Sequence, residues 1–480
     1  SSASSSSVFN KINSKNIFAA NYNFRVNQNA RRLNIGAGNG TMRVMDKKLK
    51  ILTYGCQMNV AESERMAGQL QKIGYTLTEN LDAADLILFN TCCVRATAED
   101  KIYGKIGEIK KYKRQNPALI VGIVGCLAQK DGENLIKRAP HVDFVLGTGK
   151  RGELVSVVEN FESTRRQLVD TSNVSGLIDD GNILPVRAGG VSAFVPIMYG
   201  CDNFCTYCIV PHVRGRERSR QPEEIISEIR ETVNAGFKEI TLLGQNVNSY
   251  DGGGKTFPEL LRDADKIPGL ERLRFMTSHP KDLSDDLISA IANGKNICEH
   301  IHLPVQYGSN EILRRMNRVY TVEKYLALVE KIRAAVPNIS LTTDLIVGFP
   351  GETDETFAET LEFMERVRFD MAFTFIYSKR SGTPAADFPN QVDEETKHRR
   401  LEILMALQNK ISLEKNLALN GQNVEVLVEG ASKTDGNIFS GRTRQNKLVL
   451  FEHGAEKIGE LVRVKINQAQ TWLLKGQIVS

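Results

Sequence analysis

Phe194-Val195-Pro196-Ile197-Met198-Tyr199-Gly200-Cys201-Asp202-Asn203-Phe204-Cys205-Thr206-Tyr207-Cys208 joins two signals in one short stretch. The apolar run Phe194–Met198 has the length and composition of a buried strand. Directly after it come three cysteines spaced Cys-x-x-x-Cys-x-x-Cys. Three thiolates this close on one loop can wrap a single metal centre, whereas structural thiols would be scattered along a core. Tetrahedral zinc prefers four ligands, often as two separated pairs, and His212 is the only nearby fourth donor. Three cysteines instead leave one iron of a [4Fe–4S] cluster without a protein ligand, free to bind a small molecule.

Working outward, strand-like runs recur at Glu239–Leu243, Leu273–Met276, His300–Pro304, Ser340–Val347 and Ala372–Tyr377. Helical stretches such as Pro222–Ala235 and Thr353–Val367 separate them. This alternation predicts a partial (βα)6 barrel with its site at the C-terminal ends of the strands. Upstream, Ile51–Tyr54, Leu86–Phe89, Leu119–Val124 and Phe144–Leu146 alternate with helical patterns at Ala61–Ile73, Ala98–Arg114 and Gly132–Arg138. That is the pattern of an N-terminal parallel α/β sheet domain. Residues 160–192 read as a linker. Downstream, a charged helix near Asp393–Leu419 leads into five short strands, Val424–Val428, Ile438–Arg442, Leu448–Phe451, Leu461–Ile466 and Trp472–Ile478. These predict a small C-terminal β-barrel of OB-like size. The fold class is thus α/β, with expected segments 1–45 (tail), 48–160, 190–415 and 416–480.

Composition agrees with a several-domain globular chain. The 480 residues exceed one ordinary core, and 41% are apolar and 25% charged. No run approaches the roughly 18 consecutive apolar residues of a membrane-spanning helix, so no membrane partner is expected. The net charge of +5 is uneven. The first 50 residues hold nine Lys/Arg against Asp46, which leaves residues 51–480 slightly acidic. Any nucleic-acid surface must therefore be a local patch. The tail is Ser-, Asn- and Arg-rich and reads as disordered, with a transit peptide as the alternative.

Eight cysteines are too sparse for a secreted disulfide scaffold. Cys56, Cys92 and Cys126 each fall just after an expected parallel strand. Loops at the C-terminal ends of such strands converge in space, so the three thiols could ligate a second centre or could be ordinary core thiols. Cys298 reads as a core thiol.

Gly200-Cys201-Asp202-Asn203-Phe204-Cys205-Thr206-Tyr207-Cys208-Ile209-Val210-Pro211 resembles the motif of radical S-adenosylmethionine (SAM) enzymes. That resemblance implies a [4Fe–4S] cluster on Cys201, Cys205 and Cys208 whose open iron chelates SAM. Thr53-Tyr54-Gly55-Cys56-Gln57-Met58-Asn59 with Glu62-Ser63-Glu64, Asn90-Thr91-Cys92-Cys93-Val94-Arg95, and Gly125-Cys126-Leu127-Ala128-Gln129 are similar to the N-terminal domain of methylthiotransferases. In that family these three cysteines hold an auxiliary [4Fe–4S] cluster, here Cys56, Cys92 and Cys126, with Cys92 chosen over the adjacent Cys93. Arg214-Gly215-Arg216-Glu217-Arg218-Ser219-Arg220 and Leu243-Gly244-Gln245-Asn246-Val247-Asn248-Ser249-Tyr250 resemble the MiaB-type branch, which acts on tRNA. The resemblance runs from about Lys50 to the C-terminus, where residues 416–480 look like a TRAM domain.

The implied reaction is methylthiolation of C2 of N6-isopentenyladenosine beside the anticodon, with two SAM per turnover. Tyr207, Gln245, Gln306 and Asp344 stand at or near strand ends as candidate SAM contacts. The implied partners are a tRNA anticodon stem-loop, an external electron donor and a sulfur donor, with the chain a cytoplasmic monomer. A ribosomal-protein Asp, threonylcarbamoyladenosine, or a non-catalytic RNA-binding zinc protein are the alternative readings. In residues 416–480 the basic residues exceed the acids by only two, an excess that a solvated face explains equally well. The helix near Lys101–Arg114 is more basic, and could contact phosphate or simply face solvent.

Overall fold

The computed structural model describes residues 47–93, 96–172, 183–187, 189–432, 435–452, 454 and 457–479. The tail at 1–45 lies outside the described residues. The chain divides into two compact units. The first extends to Gly189 and takes in His212–Gly215; the second comprises Gly190–Pro211 and Arg216 onward.

In the first unit six parallel strands form one sheet. They are β1 (Lys47–Thr53), β2 (Tyr75–Leu77), β3 (Leu86–Thr91), β4 (Ile120–Gly125), β5 (Phe144–Leu146) and β6 (Leu168–Asp170), in the order β2-β1-β3-β4-β5-β6. The helices between them are α1 (Gln57–Gln71), α2 (Ala96–Gln115), α3 (Cys126–Asp131), α4 (Glu133–Arg138) and α5 (Leu154–Thr164). β3 and β4 are buried at every position, which is why both are continuous apolar runs instead of alternating ones. Leu49, Ile51, Leu88 and Phe144 pack with Met66, Leu70 and Val158 in the core of this unit. Three details differ from the sequence reading, the first being the short strand β2, which it does not expect. The start of the expected linker is the end of α5 followed by β6, which extends the sheet. β6 has three half-buried residues, too few to show a period. The helix expected at Gly132–Arg138 is preceded by α3, so Cys126 opens a helix.

In the second unit β7 (Ser192–Pro196), β8 (Glu239–Leu243) and β9 (Arg272–Phe275) form one parallel sheet. A second comprises β10 (His300–His302), β11 (Ser340–Val347) and β12 (Met371–Ile376). A single bridge, Leu273 to Ile297, continues the pairing between the halves, giving a partial barrel of six strands. Leu273 and Phe275 enter the apolar core, and the alternate residues Arg272 and Arg274 turn to the other face. After the long helix Glu394–Leu417 come β13 (Asn423–Ala431), β14 (Ile438–Thr443), β15 (Leu448–Glu452), β16 (Leu461–Ala469) and β17 (Leu474–Ile478). These close into a barrel in the order β13-β14-β15-β17-β16.

The small barrel is fastened at the N-terminal ends of the larger one's strands. Arg274 donates to the carbonyls of Thr443 and Arg444 at 2.8 Å each and to Glu239 at 2.7 Å. Arg444 reaches Glu299 at 2.8 Å and the Ile297 carbonyl at 2.6 Å. Lys447 meets Asp370 at 3.2 Å. Arg444 and Lys447 belong to the small basic excess of this segment, and they hold the two barrels together. Arg463, Lys465 and Lys475 on β16 and β17 face solvent, as does Trp472 in the turn between those strands.

Candidate functional sites

The first unit brings its four cysteines together. Cys56 is the N-cap of α1, and its backbone N–H and thiol both donate to Asn59 Oδ1 at 3.3 Å. Asn59 in turn donates to Asn90 Oδ1 at 3.1 Å, and Asn90 Nδ2 donates to the Asn59 carbonyl at 2.8 Å and to Ser63 Oγ at 3.0 Å. These interlocked amides join the loop after β1 to the end of β3. Gly55 has φ +137°, and a Cβ there would lie 2.6 Å from the Cβ of Cys92. Gly125, at φ +95°, leaves no room for a Cβ beside the Thr91 carbonyl. Both glycines precede a cysteine, and only a residue without a side chain permits so close an approach.

Beside these thiols stands a buried charge cluster. Glu62, on α1, accepts from Arg214 at 2.6 Å and from Arg151. Burial alone would raise Glu62, but the two guanidiniums hold its carboxyl below the usual range. The Cys93 thiol donates to Cys126 and, with the Arg214 guanidinium nearby, lowers the Cys126 thiol below its usual range against the opposing effect of burial. Burial pushes Cys56 up. Among the described residues no three His, Cys, Asp or Glu side chains are arranged to hold a single metal ion. A cubane makes a different demand, because each thiolate meets a different iron.

In the second unit the loop after Tyr199 carries Cys201, Cys205 and Cys208. Cys208 N–H donates to the Cys205 carbonyl at 3.0 Å, and Phe204 adopts a left-handed conformation at φ +44°. The loop is pinned from outside: Thr206 N–H donates to the Met316 carbonyl at 3.1 Å, Thr206 Oγ1 to the Arg315 carbonyl at 2.8 Å, and Asn317 to the Phe204 carbonyl at 3.1 Å. Two donors reach sulfur: Asn203 Nδ2 to Cys201 and Arg318 Nη1 to Cys205, both at 3.4 Å. Arg318 is itself buried and fixed by the Pro304 carbonyl at 2.7 Å and by Tyr320 Oη at 2.9 Å. Burial and the neighbouring Cys205 push Cys208 up to about 12. Three sulfurs with N–H donors aimed at two of them suit a thiolate-held cluster.

Of the candidate SAM contacts, Tyr207 packs edge-on against Phe349 in the Gly348–Gly351 turn, centroids 6.5 Å apart. Gln306 and Asp344 are neighbours: Gln306 N–H donates to the Asp344 carbonyl at 2.9 Å, and Gln306 has φ +71°. Asp344 also lies 3.5 Å from His302 Nε2. Gln245 follows β8, and its Oε1 is buried with no protein partner, as are Asn248 Oδ1 and Ser278 Oγ at the ends of β8 and β9. Orphaned polar atoms at the C-terminal ends of adjacent strands fit a polar ligand such as SAM. No contact joins Gln245 to the Gln306–Asp344 pair among the hydrogen bonds of the described residues.

Sequence reading missed Arg318, Arg151 and the roles of Glu62, Arg214, Asn59 and Asn90. The last four stand inside quoted motifs. Arg318, more than a hundred residues from Cys205, carries no local signal.

Residues 195–364 match the Radical SAM superfamily, residues 48–147 the Uncharacterized protein family UPF0004, and residues 418–479 the TRAM domain. A tRNA-2-methylthio-N(6)-dimethylallyladenosine synthase of Carboxydothermus hydrogenoformans is 53% identical over 440 residues, 90% of this chain and 100% of that protein. Proteins of the same name from Moorella thermoacetica and Clostridium novyi are 52% and 50% identical, covering 90% and 92% of this chain and 98% of each relative. Among solved structures, the radical S-adenosylmethionine methyltransferase TsrM from Kitasatospora setae aligns with a TM-score of 0.53 at 15% identity, over 71% of this chain and 77% of that one. It shares the fold. The fold and the three-cysteine loop define a radical SAM enzyme, a class that works with an iron–sulfur cluster and SAM. Within it, the chain belongs to the tRNA-2-methylthio-N(6)-dimethylallyladenosine synthase family.

Proposed function

We propose that this chain methylthiolates C2 of N6-isopentenyladenosine next to the tRNA anticodon, giving 2-methylthio-N6-isopentenyladenosine and using two SAM per turnover. The observation that carries the reading is the gathering of Cys56, Cys92, Cys93 and Cys126 at one sheet end, separate from the loop of Cys201, Cys205 and Cys208. Two such sites match a reaction that needs both a radical source and a sulfur source. Cys56, Cys92 and Cys126 are the proposed auxiliary ligands, with Cys93 acting as a hydrogen-bond donor to Cys126.

A bound [4Fe–4S] cluster supplies an electron and an open coordination position for the amino and carboxylate groups of SAM. The chain's own groups do the rest. Arg318 and Asn203 hold the Cys205 and Cys201 sulfurs in place. The orphaned Gln245 Oε1 would accept from the SAM ammonium, and Tyr207 would shield the cluster and the adenine region. The target base must leave its stack, which costs least in a single-stranded anticodon loop. Arg463, Lys465 and Lys475 would meet phosphates, and Trp472 would offer a stacking face. The electron and sulfur donors are separate partners of a cytoplasmic monomer.

The test is mass spectrometry of isopentenylated and unmodified tRNA after incubation with reconstituted enzyme, SAM, reductant and sulfide. The expected result is a methylthio mass gain on the isopentenylated substrate alone. No gain on it overturns the reading. A gain on threonylcarbamoyladenosine or a ribosomal protein instead would reassign the substrate.

A further inference from the structure

We propose that Arg318 is the counter-charge of the site formed by Cys201, Cys205 and Cys208, and that its guanidinium, acting through the Cys205 sulfur, raises the reduction potential of the cluster held there. This role rests on the reading that the three cysteines carry a [4Fe–4S] cluster, and it makes Arg318 a positioning residue of that site.

The turn Asn317–Tyr320 buries the opposite of what its residue types favour. Arg318 and Tyr320 are each 7% exposed, whereas the apolar Val319 between them is 65% exposed. Asn317, at φ +57°, sets this turn. Burying a guanidinium costs free energy unless the charge finds a partner inside, and a guanidinium cannot shed its proton. Each of its nitrogens is engaged. Nε donates to Tyr320 Oη at 2.9 Å, Nη2 to the Pro304 carbonyl at 2.7 Å and Nη1 to Cys205 Sγ at 3.4 Å. Tyr320 Oη in turn donates to the Val305 carbonyl at 2.8 Å, so the segment after β10 locks the fork in place. Among the described residues no carboxylate pairs with Arg318. The partner that can carry negative charge is the Cys205 sulfur.

The two donors on this loop differ in kind. Asn203 offers Cys201 a neutral, half-buried amide, and Arg318 offers Cys205 a buried full charge at the same 3.4 Å. A doubly positive cubane core on three thiolates carries one net negative charge, and one-electron reduction adds a second. A fixed cation beside a cluster sulfur favours the more negative form, the more so away from water. Arg318 therefore stabilises the reduced cluster and brings it within reach of the external electron donor. Without that charge the ratio of reduced to oxidised cluster at a fixed potential should fall about tenfold, equivalent to ~59 mV for one electron.

The test uses the full chain carrying Cys56→Ala, Cys92→Ala and Cys126→Ala, so that bound iron reports on the second unit alone. Iron and sulfide are counted after reconstitution, and a dithionite titration without SAM is followed by electron paramagnetic resonance. Arg318→Gln should shift the midpoint to more negative potential by the stated amount. Arg318→Lys, which keeps the charge, should stay near the parent, and Asn203→Ala, which removes a neutral donor, should shift it less than Arg318→Gln does. A purely structural role would cost iron and leave the remaining cluster at the parent's midpoint; that result overturns the proposal, as does an equal shift in Arg318→Gln and either of the other variants. If Arg318→Gln binds no iron, Arg318→Lys decides: loading at the parent's midpoint supports the counter-charge, and failure to load or a negative shift overturns it. A parent chain that binds no iron sinks the cluster reading itself, and this role with it.

Discussion

The two cysteine sites are made in opposite ways. Cys201, Cys205 and Cys208 lie within one loop, so the chain itself brings the thiols together and the fold only has to pin the loop. Cys56, Cys92 and Cys126 are separated by 36 and 34 residues and are gathered by the register of three parallel strands. The local site draws its tertiary support from donors on distant segments, Arg318 and the Arg315–Asn317 backbone and side chains. The assembled site uses positive-φ glycines and interlocked amides. A site closed by sequence is robust to sheet distortion; a site closed by topology depends on it.

The largest expected effect separates the two sites by product. Replacing Cys201, Cys205 or Cys208 with Ala should abolish reductive SAM cleavage, read as loss of 5′-deoxyadenosine by chromatography. Replacing Cys56 or Cys126 should leave that cleavage and abolish the methylthio product. If both sets of variants lose 5′-deoxyadenosine equally, the division of labour is wrong.

Gly125→Ala tests the dependence on topology. A Cβ at φ +95° against the Thr91 carbonyl should cost about 1–3 kcal/mol. It should lower iron retention at the first site while leaving the Cys201 loop loaded. Denaturant melts with iron counts on the Cys201, Cys205 and Cys208 triple variant, and on the otherwise unchanged chain, give the contrast. Unchanged iron at the first site would show that the close approach is dispensable.

The smallest effect is a contrast in pH dependence. Glu62 is held low by Arg151 and Arg214 against burial. Its contribution is present above the ordinary carboxylate value of 4.5 and is lost as pH falls below it. Glu217, beside the second site, runs the other way: burial first, then Asp202 and Asp282, push it up to about 7. The folded state keeps that proton while the unfolded state releases it near 4.5, so stability falls as pH rises from 4.5 to 7. Thermal midpoints across pH should show Glu217→Gln flattening that fall and Glu62→Gln flattening the acid-side loss. Profiles parallel to the parent would remove the contrast.

Much of the fold was legible because its signals are local. Buried parallel strands such as Leu86–Thr91 and Ile120–Gly125 are apolar throughout, and the helices between them are periodic. β6 escaped because three edge residues carry no period, and α3 escaped because it opens on Cys126 at a strand end. For the sites, cysteine spacing and motif resemblance marked six of the thiols and left Cys93 ambiguous. Its hydrogen bond to Cys126 exists only once β3 and β4 are paired.

By itself the sequence determined the element order and the three-thiol loop, since both follow from residues near one another along the chain. Tertiary structure alone decided which arginines serve which sulfurs. It also made Arg444 and Lys447, two members of a small basic excess that composition alone leaves unassigned, fasteners between two barrels. The physical reason is that a buried charge chooses its partner by three-dimensional proximity, and neither composition nor spacing encodes that proximity.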